Sequence, residues 1–177
     1  MQEVFTLKNE EELIIRQLHA DDYETVMTFL SQMSQENIFT NQYPGQPKRD
    51  KEKSIQTYEL PTNLFLAAFK GTGEVVGLIS IMINKPGHPW TGRNASFGIS
   101  MLKAYYGQGL GTYLMGKAEE WARAQGMHRI EGTVRSLNRR AINLYLKQGF
   151  EIDGVFREVA LIDGQWHDEY HISKILK

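Results

Sequence analysis

Two nearly unbroken apolar segments, Asn63–Phe69 (NLFLAAF) and Glu74–Ile83 (EVVGLISIMI), are joined by the short turn Lys70–Gly73 (KGTG). A glycine turn between two β-rich runs predicts a hairpin, and the lack of polar alternation predicts strands covered on both faces. A chain carrying such a hairpin must therefore build a central sheet with helices on either side.

The flanking segments agree with that requirement. Ile14–His19 starts as a short strand, and a helix follows it: Asp21 and Asp22 suit its first turn, while Tyr23, Val26, Met27 and Leu30 recur at helical spacing. Asn41–Pro47 is a loop by its proline and glycine content, and Lys48–Tyr58 reads as a charged helix. After the hairpin come a polar loop, Asn84–Arg93, and a strand, Asn94–Met101. A helix then starts near Gly109, with Leu110, Leu114, Ala118 and Trp121 on one face and Gly126 as its stop. His128–Val134 is a strand, Asn138–Phe150 a helix, and the tail holds two more strands, DGVFREVAL and Glu169–Leu176.

The order is thus strand, two helices, three strands, helix, strand, helix, two strands. It describes one α/β (α+β) domain over residues 1–177, with a mixed sheet and no repeat or linker. At 177 residues and 41% hydrophobic composition, the chain can bury a full core.

Lys and Arg number 20 against 21 Asp and Glu, so no global field favours nucleic acid or an anionic membrane. Cysteine is absent, which excludes thiol nucleophiles, disulfides and cysteine metal sites. No metal is expected. With no secretory leader pattern and no apolar run of membrane-spanning length, the reading is a cytoplasmic protein.

Tyr106–Gly111 (YGQGLG) concentrates three glycines before a helix. Helix-start amides lack internal partners and sit at the positive end of the dipole, so such a loop can cradle a phosphate. The same pattern also occurs in ordinary turns, and it matches neither the Walker A loop nor the dinucleotide fingerprint. In the following helix Asn138 and Tyr145 lie seven residues apart on one face, with Gly149 four beyond. If the strands before both helices are parallel neighbours, the two helix starts open at the same end of the sheet, where mixed α/β proteins bind ligands.

The glycine run together with Asn138–Gly154 (NRRAINLYLKQGFEIDG) resembles the GNAT family of N-acetyltransferases. That family carries Arg or Gln, two residues, Gly, one residue, then Gly or Ala. Gly109 and Gly111 match the small positions, and Tyr106 stands where the family has Arg or Gln. Asn138, Tyr145 and Gly149-Phe150 match the second motif throughout, and Asp163–Leu176 resembles the closing hairpin of bacterial members.

The resemblance implies the acyl-CoA N-acyltransferase fold, with a mostly antiparallel sheet, and direct transfer of acetyl from acetyl-CoA to an amine. It places the pyrophosphate on the amides of Gln108, Gly109, Leu110, Gly111 and Thr112. The pantetheine arm would pair with the backbone of Met101, Leu102 and Lys103. Asn138, also a helix cap by its position, and Asn143 would face the coenzyme; Lys103 or Arg140 is a candidate to neutralise phosphate, against the ordinary reading of a lone basic residue as solvated surface. Tyr145 is the expected acid, since a phenol can protonate a departing thiolate of similar basicity.

For the base, some relatives use a Glu on the strand before the Asn motif; Thr133 holds that position here, and Glu131 lies two residues earlier on the same side. Glu131 is thus the candidate base, with His128, His171 and Glu12 behind it. Phe39, Tyr43, Trp90 and Trp166 are candidates to line the acceptor site. The acceptor is read as a primary amine, a small molecule or a protein N-terminus, and the sheet edges expected near the C-terminus point to a homodimer. Two rivals remain at this stage: a non-catalytic acyl-CoA-binding or protein-interaction module on the same fold, and a nucleotide-binding module.

Overall fold

The computed structural model describes residues 2–177. It contains strands β1 (Gln2–Thr6), β2 (Glu12–Gln17), β3 (Asn63–Phe69), β4 (Val75–Ile83), β5 (Asn94–Met101), β6 (Arg129–Arg135), β7 (Glu151–Ile162) and β8 (Gln165–Ile175). The helices are α1 (Tyr23–Glu36), α2 (Lys51–Glu59), α3 (Leu110–Ala124) and α4 (Arg139–Lys147). One sheet holds all eight strands in the order β1-β2-β3-β4-β5-β6-β8-β7. Every neighbouring pair is antiparallel except β5 and β6. The expected central hairpin is β3–β4, and most of its side chains are buried on both faces.

Strand alternation divides that burial. Odd-numbered β4 residues face α3: Ile79 and Ile81 are fully buried, and a Cβ at Gly77 would meet Leu110 Cδ2 at 3.1 Å. The opposite face is covered by α1 and α2, whose Val26, Phe29, Met33 and Tyr58 join Phe65 and Ala67. Both layers are apolar stripes matched to a helical period, so the sheet has no bare central face.

One strand was not legible. Gln2–Thr6 (QEVFT) shows no polar–apolar alternation; its residues are alternately exposed and half-buried, and tertiary contacts hold it. Phe5 stacks on Tyr113 of α3 with ring centroids 4.4 Å apart, while Glu3 accepts from the Tyr113 hydroxyl and pairs with Lys117 at 2.8 Å. The charged helix also begins three residues later than expected, because the Asp50 carboxylate accepts from the Lys53 amide at 2.8 Å and so sets the helix start.

At the entry to α1, Arg16 grips Asp22 with two hydrogen bonds of 2.6 and 2.7 Å, and the His19 amide donates to the same carboxylate at 2.8 Å. Burial raises the Asp22 pKa, but Arg16 and the His19 amide outweigh it and hold the carboxyl below its ordinary value. The pair thus stabilises the fold above the ordinary Asp range and loses its contribution as pH falls through the lowered value. Asp22→Asn is expected to cost about 1–3 kcal/mol at pH 7 in urea unfolding. The difference from the unmodified chain should shrink as the pH falls below the ordinary Asp range.

Candidate active site

The parallel pair β5–β6 is short. Only Asn94–Ser96 pairs with Arg129–Glu131; beyond that, β5 stays with β4 as far as Met101 while β6 follows β8 as far as Arg135. The sheet therefore parts in its middle. Leu102 N–H reaches Val76 O at 3.0 Å, and Asn84 N–H reaches Asn94 O at 2.9 Å, so even-numbered β5 amides face β4. By alternation the backbone groups of Phe97, Ile99 and Met101 turn into the gap, an open edge for an extended chain.

A cleft of about 540 Å³ occupies this gap. Gly98, Ser100, Met101, Gly109, Gly111, Thr112, Asn138 and Tyr145 are among its walls. Gly132 makes room beside it, since a Cβ there would stand 3.0 Å from the Phe97 ring. That ring meets Tyr145 and Phe150 with centroids 5.4 and 5.3 Å away. Tyr145 is only 6% exposed, and burial pushes its phenol well above its ordinary pKa, so it stays protonated at neutral pH. It stands on the cleft wall as a neutral phenol.

At the other end, Gly107 and Gly109 both take positive φ, 75° and 94°, a backbone that side-chain-bearing residues adopt rarely. No side chain caps α3, and Tyr113 N–H closes onto Gly109 O at 3.1 Å, which leaves the preceding helix-start amides without helical acceptors. Gly111 has a further role: a Cβ there would lie 3.2 Å from Leu144 Cδ2 and 3.6 Å from Met101 Cε. The glycine lets α3, α4 and the end of β5 converge. Tyr106 lies under Arg140, whose guanidinium carbon is 4.6 Å from the ring centroid. A cation thus reaches the motif through Tyr106.

The remaining expected residues sort by position. Asn138 caps α4, its side chain accepting from the Ala141 amide at 3.2 Å, and it also lines the cleft. Leu110 is fully buried and anchors α3, while Gln108 and Asn143 lie outside the cleft wall, Asn143 exposed. The amides of Leu102 and Lys103 already have acceptors, Val76 O and the Glu36 carboxylate, the latter at 2.7 Å. Of the three pantetheine candidates, Met101 alone offers a gap-facing backbone.

Glu131 does not line the cleft either. Its carboxylate accepts from Arg129 Nε and Asn84 Nδ2, both at 2.9 Å, with His171 Nε2 at 3.7 Å. This polar network occupies the stretch where β5 and β6 still pair, away from the gap. Of the aromatic acceptor candidates, Phe39 lines the cleft; Tyr43, Trp90 and Trp166 do not, and Trp90 is 92% exposed.

Residues that the sequence reading passed over also line the cleft: Lys8, Asn41, Arg49, Arg135 and Glu169. Lys8, Asn41 and Arg49 come from turns and loops and Arg135 from a strand end, where periodicity carries no signal, while Glu169 lies within β8. The alternation Glu131, Thr133, Arg135 was the one available hint.

A sheet split between a parallel pair, with a glycine-rich helix start at one side and a buried Tyr at the other, defines an acyl-CoA-dependent acyltransferase. Residues 30–150 match the family model described as "Acetyltransferase (GNAT) family", and the chain belongs to that family. It is an acetyl-CoA-dependent N-acetyltransferase. It is similar to the L-amino acid N-acetyltransferase AaaT of Escherichia coli (strain K12), 28% identical over 168 residues, covering 93% of this chain and 98% of that protein. Among solved structures, the GNAT-family acetyltransferase from Streptococcus pneumoniae aligns with a TM-score of 0.83 at 28% identity, over 93% of this chain and 99% of that one. The acetyltransferase yncA from Salmonella typhimurium, described with its cofactor acetyl-CoA, shares the fold with a TM-score of 0.78 at 20% identity, covering 93% and 94%.

The glycine geometry separates two kinds of substitution. Gly109→Val meets a φ of 94°, and Gly111→Val meets Leu144, so each is expected to weaken acetyl-CoA binding at least tenfold by calorimetry. Tyr106→Ala removes one exposed cation–π contact of about 0.5–1 kcal/mol, so its loss should not exceed about fivefold.

Proposed function

We propose that this enzyme acetylates the α-amine of a free amino acid or a close analogue. Coenzyme thioester held in the gap would meet the acceptor from the face covered by α1 and α2. There Leu30, Met33 and Phe65 supply an apolar wall for a small side chain. The name of the AaaT relative supports the amino-acid class.

The observation that carries the reaction is the position of Tyr145 on the wall of the gap, opposite the face from which the acceptor would enter. On this reading the amine nitrogen attacks the thioester carbonyl carbon, the C–S bond breaks, and Tyr145 delivers its proton to the leaving sulfur. The gap-facing groups of Phe97, Ile99 and Met101 hold the pantetheine arm, and the α3 amides hold the pyrophosphate. Arg140, stacked on Tyr106, adds positive charge at that end. Free amino acids and acetyl-CoA are metabolites of the cytoplasm, which is the compartment this reading assigns.

Tyr145→Phe is expected to lower kcat tenfold or more while acetyl-CoA affinity by calorimetry stays within about twofold. Unchanged turnover would remove Tyr145 from the mechanism. A chain that binds acetyl-CoA yet releases no thiol with any amino acid or simple amine would instead be a non-catalytic binding module.

The same reading includes a homodimer through β7, an edge strand of 12 residues whose partner-free side carries unpaired backbone groups. Val155, Phe156, Val159, Leu161 and, on β8, Trp166 are all about half exposed or more. A Val159→Lys, Leu161→Lys variant should shift the light-scattering mass from dimer to monomer. A wild-type chain that is already monomeric would refute the dimer.

A further inference from the structure

The acceptor reaches the enzyme mostly as an ammonium ion, and an ammonium nitrogen has no lone pair with which to attack. Something in the cleft must receive its proton. The titratable side chains lining the cleft are Lys8, Arg49, Tyr106, Arg135, Arg140, Tyr145 and Glu169. Four are cations, and the two phenols are pushed above their ordinary pKa by burial, so none of these six is a sink for an ammonium proton. Glu169 is the sole carboxylate on the wall.

Its placement is favourable. Glu169 on β8 sits directly across from Arg135 on β6 and forms an ion pair with it; the two side chains are 13% and 9% exposed. Arg135 is held in turn by Asn41, whose side-chain oxygen accepts from Arg135 Nη2 at 3.1 Å. The carboxylate is thus oriented by a charged partner that is itself fixed.

Alternation sets the side of the sheet. Gly132 packs against Phe97, which stacks on Tyr145, so even-numbered β6 residues share the α4 face. Arg135 and its cross-strand partner Glu169 therefore point to the opposite face, where the acceptor enters. A thioester in the gap would have Tyr145 on one side and Glu169 on the other.

Building on the acetyltransferase reading above, we infer that Glu169 docks the acceptor's ammonium and takes its proton, with Arg135 as the positioning residue. One N–H proton passes to a Glu169 oxygen. The freed lone pair attacks the thioester carbonyl carbon, the C–S bond breaks, and Tyr145 protonates the sulfur. The second N–H proton, lost as the amide forms, restores the phenol. Glu169 later releases its proton to water.

The test is steady-state kinetics with acetyl-CoA and an L-amino acid such as methionine, as a function of pH. Glu169→Gln should lower kcat/KM by about 100-fold at neutral pH, with acetyl-CoA affinity retained. The deficit should shrink as rising pH supplies the free amine, a recovery that a merely structural role would not produce. Arg135 across the strand pair and His171 two residues along β8 share this face with Glu169, Lys8 and Arg49 line the same cleft, and Asn41 and Phe156 are uncharged neighbours.

Because Glu169→Gln leaves Arg135 buried without its counter-charge, the double variant Arg135→Gln, Glu169→Gln removes both charges and should show the same loss and the same pH recovery. Wild-type turnover in either variant, or a loss that does not recover with pH, overturns the assignment. A wild-type chain that acetylates no amine overturns the acetyltransferase reading as well.

Discussion

The pairing of β5 with β6 stops after Ser96, and the active site follows from that stop. Parallel strands that separate leave one edge of each without ladder partners inside the molecule, a costly arrangement unless another chain or ligand supplies hydrogen bonds. Here the gap-facing groups belong to Phe97, Ile99 and Met101, and the separation is held open from both faces. The Phe97, Tyr145 and Phe150 rings wedge it on the α4 side, with Gly132 giving them room. On the other side the ion pair of Arg135 with Glu169 ties the tip of β6 to β8 rather than to β5.

Because both helices that follow the parted strands start at the same end, two kinds of helix terminus meet there. α3 begins with bare amides after left-handed glycines, and α4 begins with Asn138 filling its own cap. One end is open to an anion, and the other is closed. Gly111 joins these features, since the close approach of Leu144 and Met101 over it brings the two helices and the strand together.

Much of this was legible in the chain. The apolar run Asn63–Phe69, the glycine spacing and the Asn138 to Tyr145 interval are local patterns, and local patterns are what periodicity reports. β1 was not legible, because its five residues depend on Tyr113 and Lys117, more than a hundred positions away. Glu131 shows the converse limit. Its side of the strand follows from alternation, but its engagement by Arg129 and Asn84 depends on where β4, β5 and β6 lie side by side.

The sequence by itself determined the layers of the fold and the family motifs around Gly109 and Tyr145. These depend on spacing along one chain segment at a time. That the strands before α3 and α4 are parallel neighbours was a condition there, and the structure met it. Tertiary structure alone decided where β5 and β6 part, which amides face the gap, and which carboxylate stands in it. Glu169 and Arg135 are 34 residues apart and carry no shared motif, yet an antiparallel register places them opposite each other. Register over that distance is set by the packing of the whole sheet, and no local pattern encodes it.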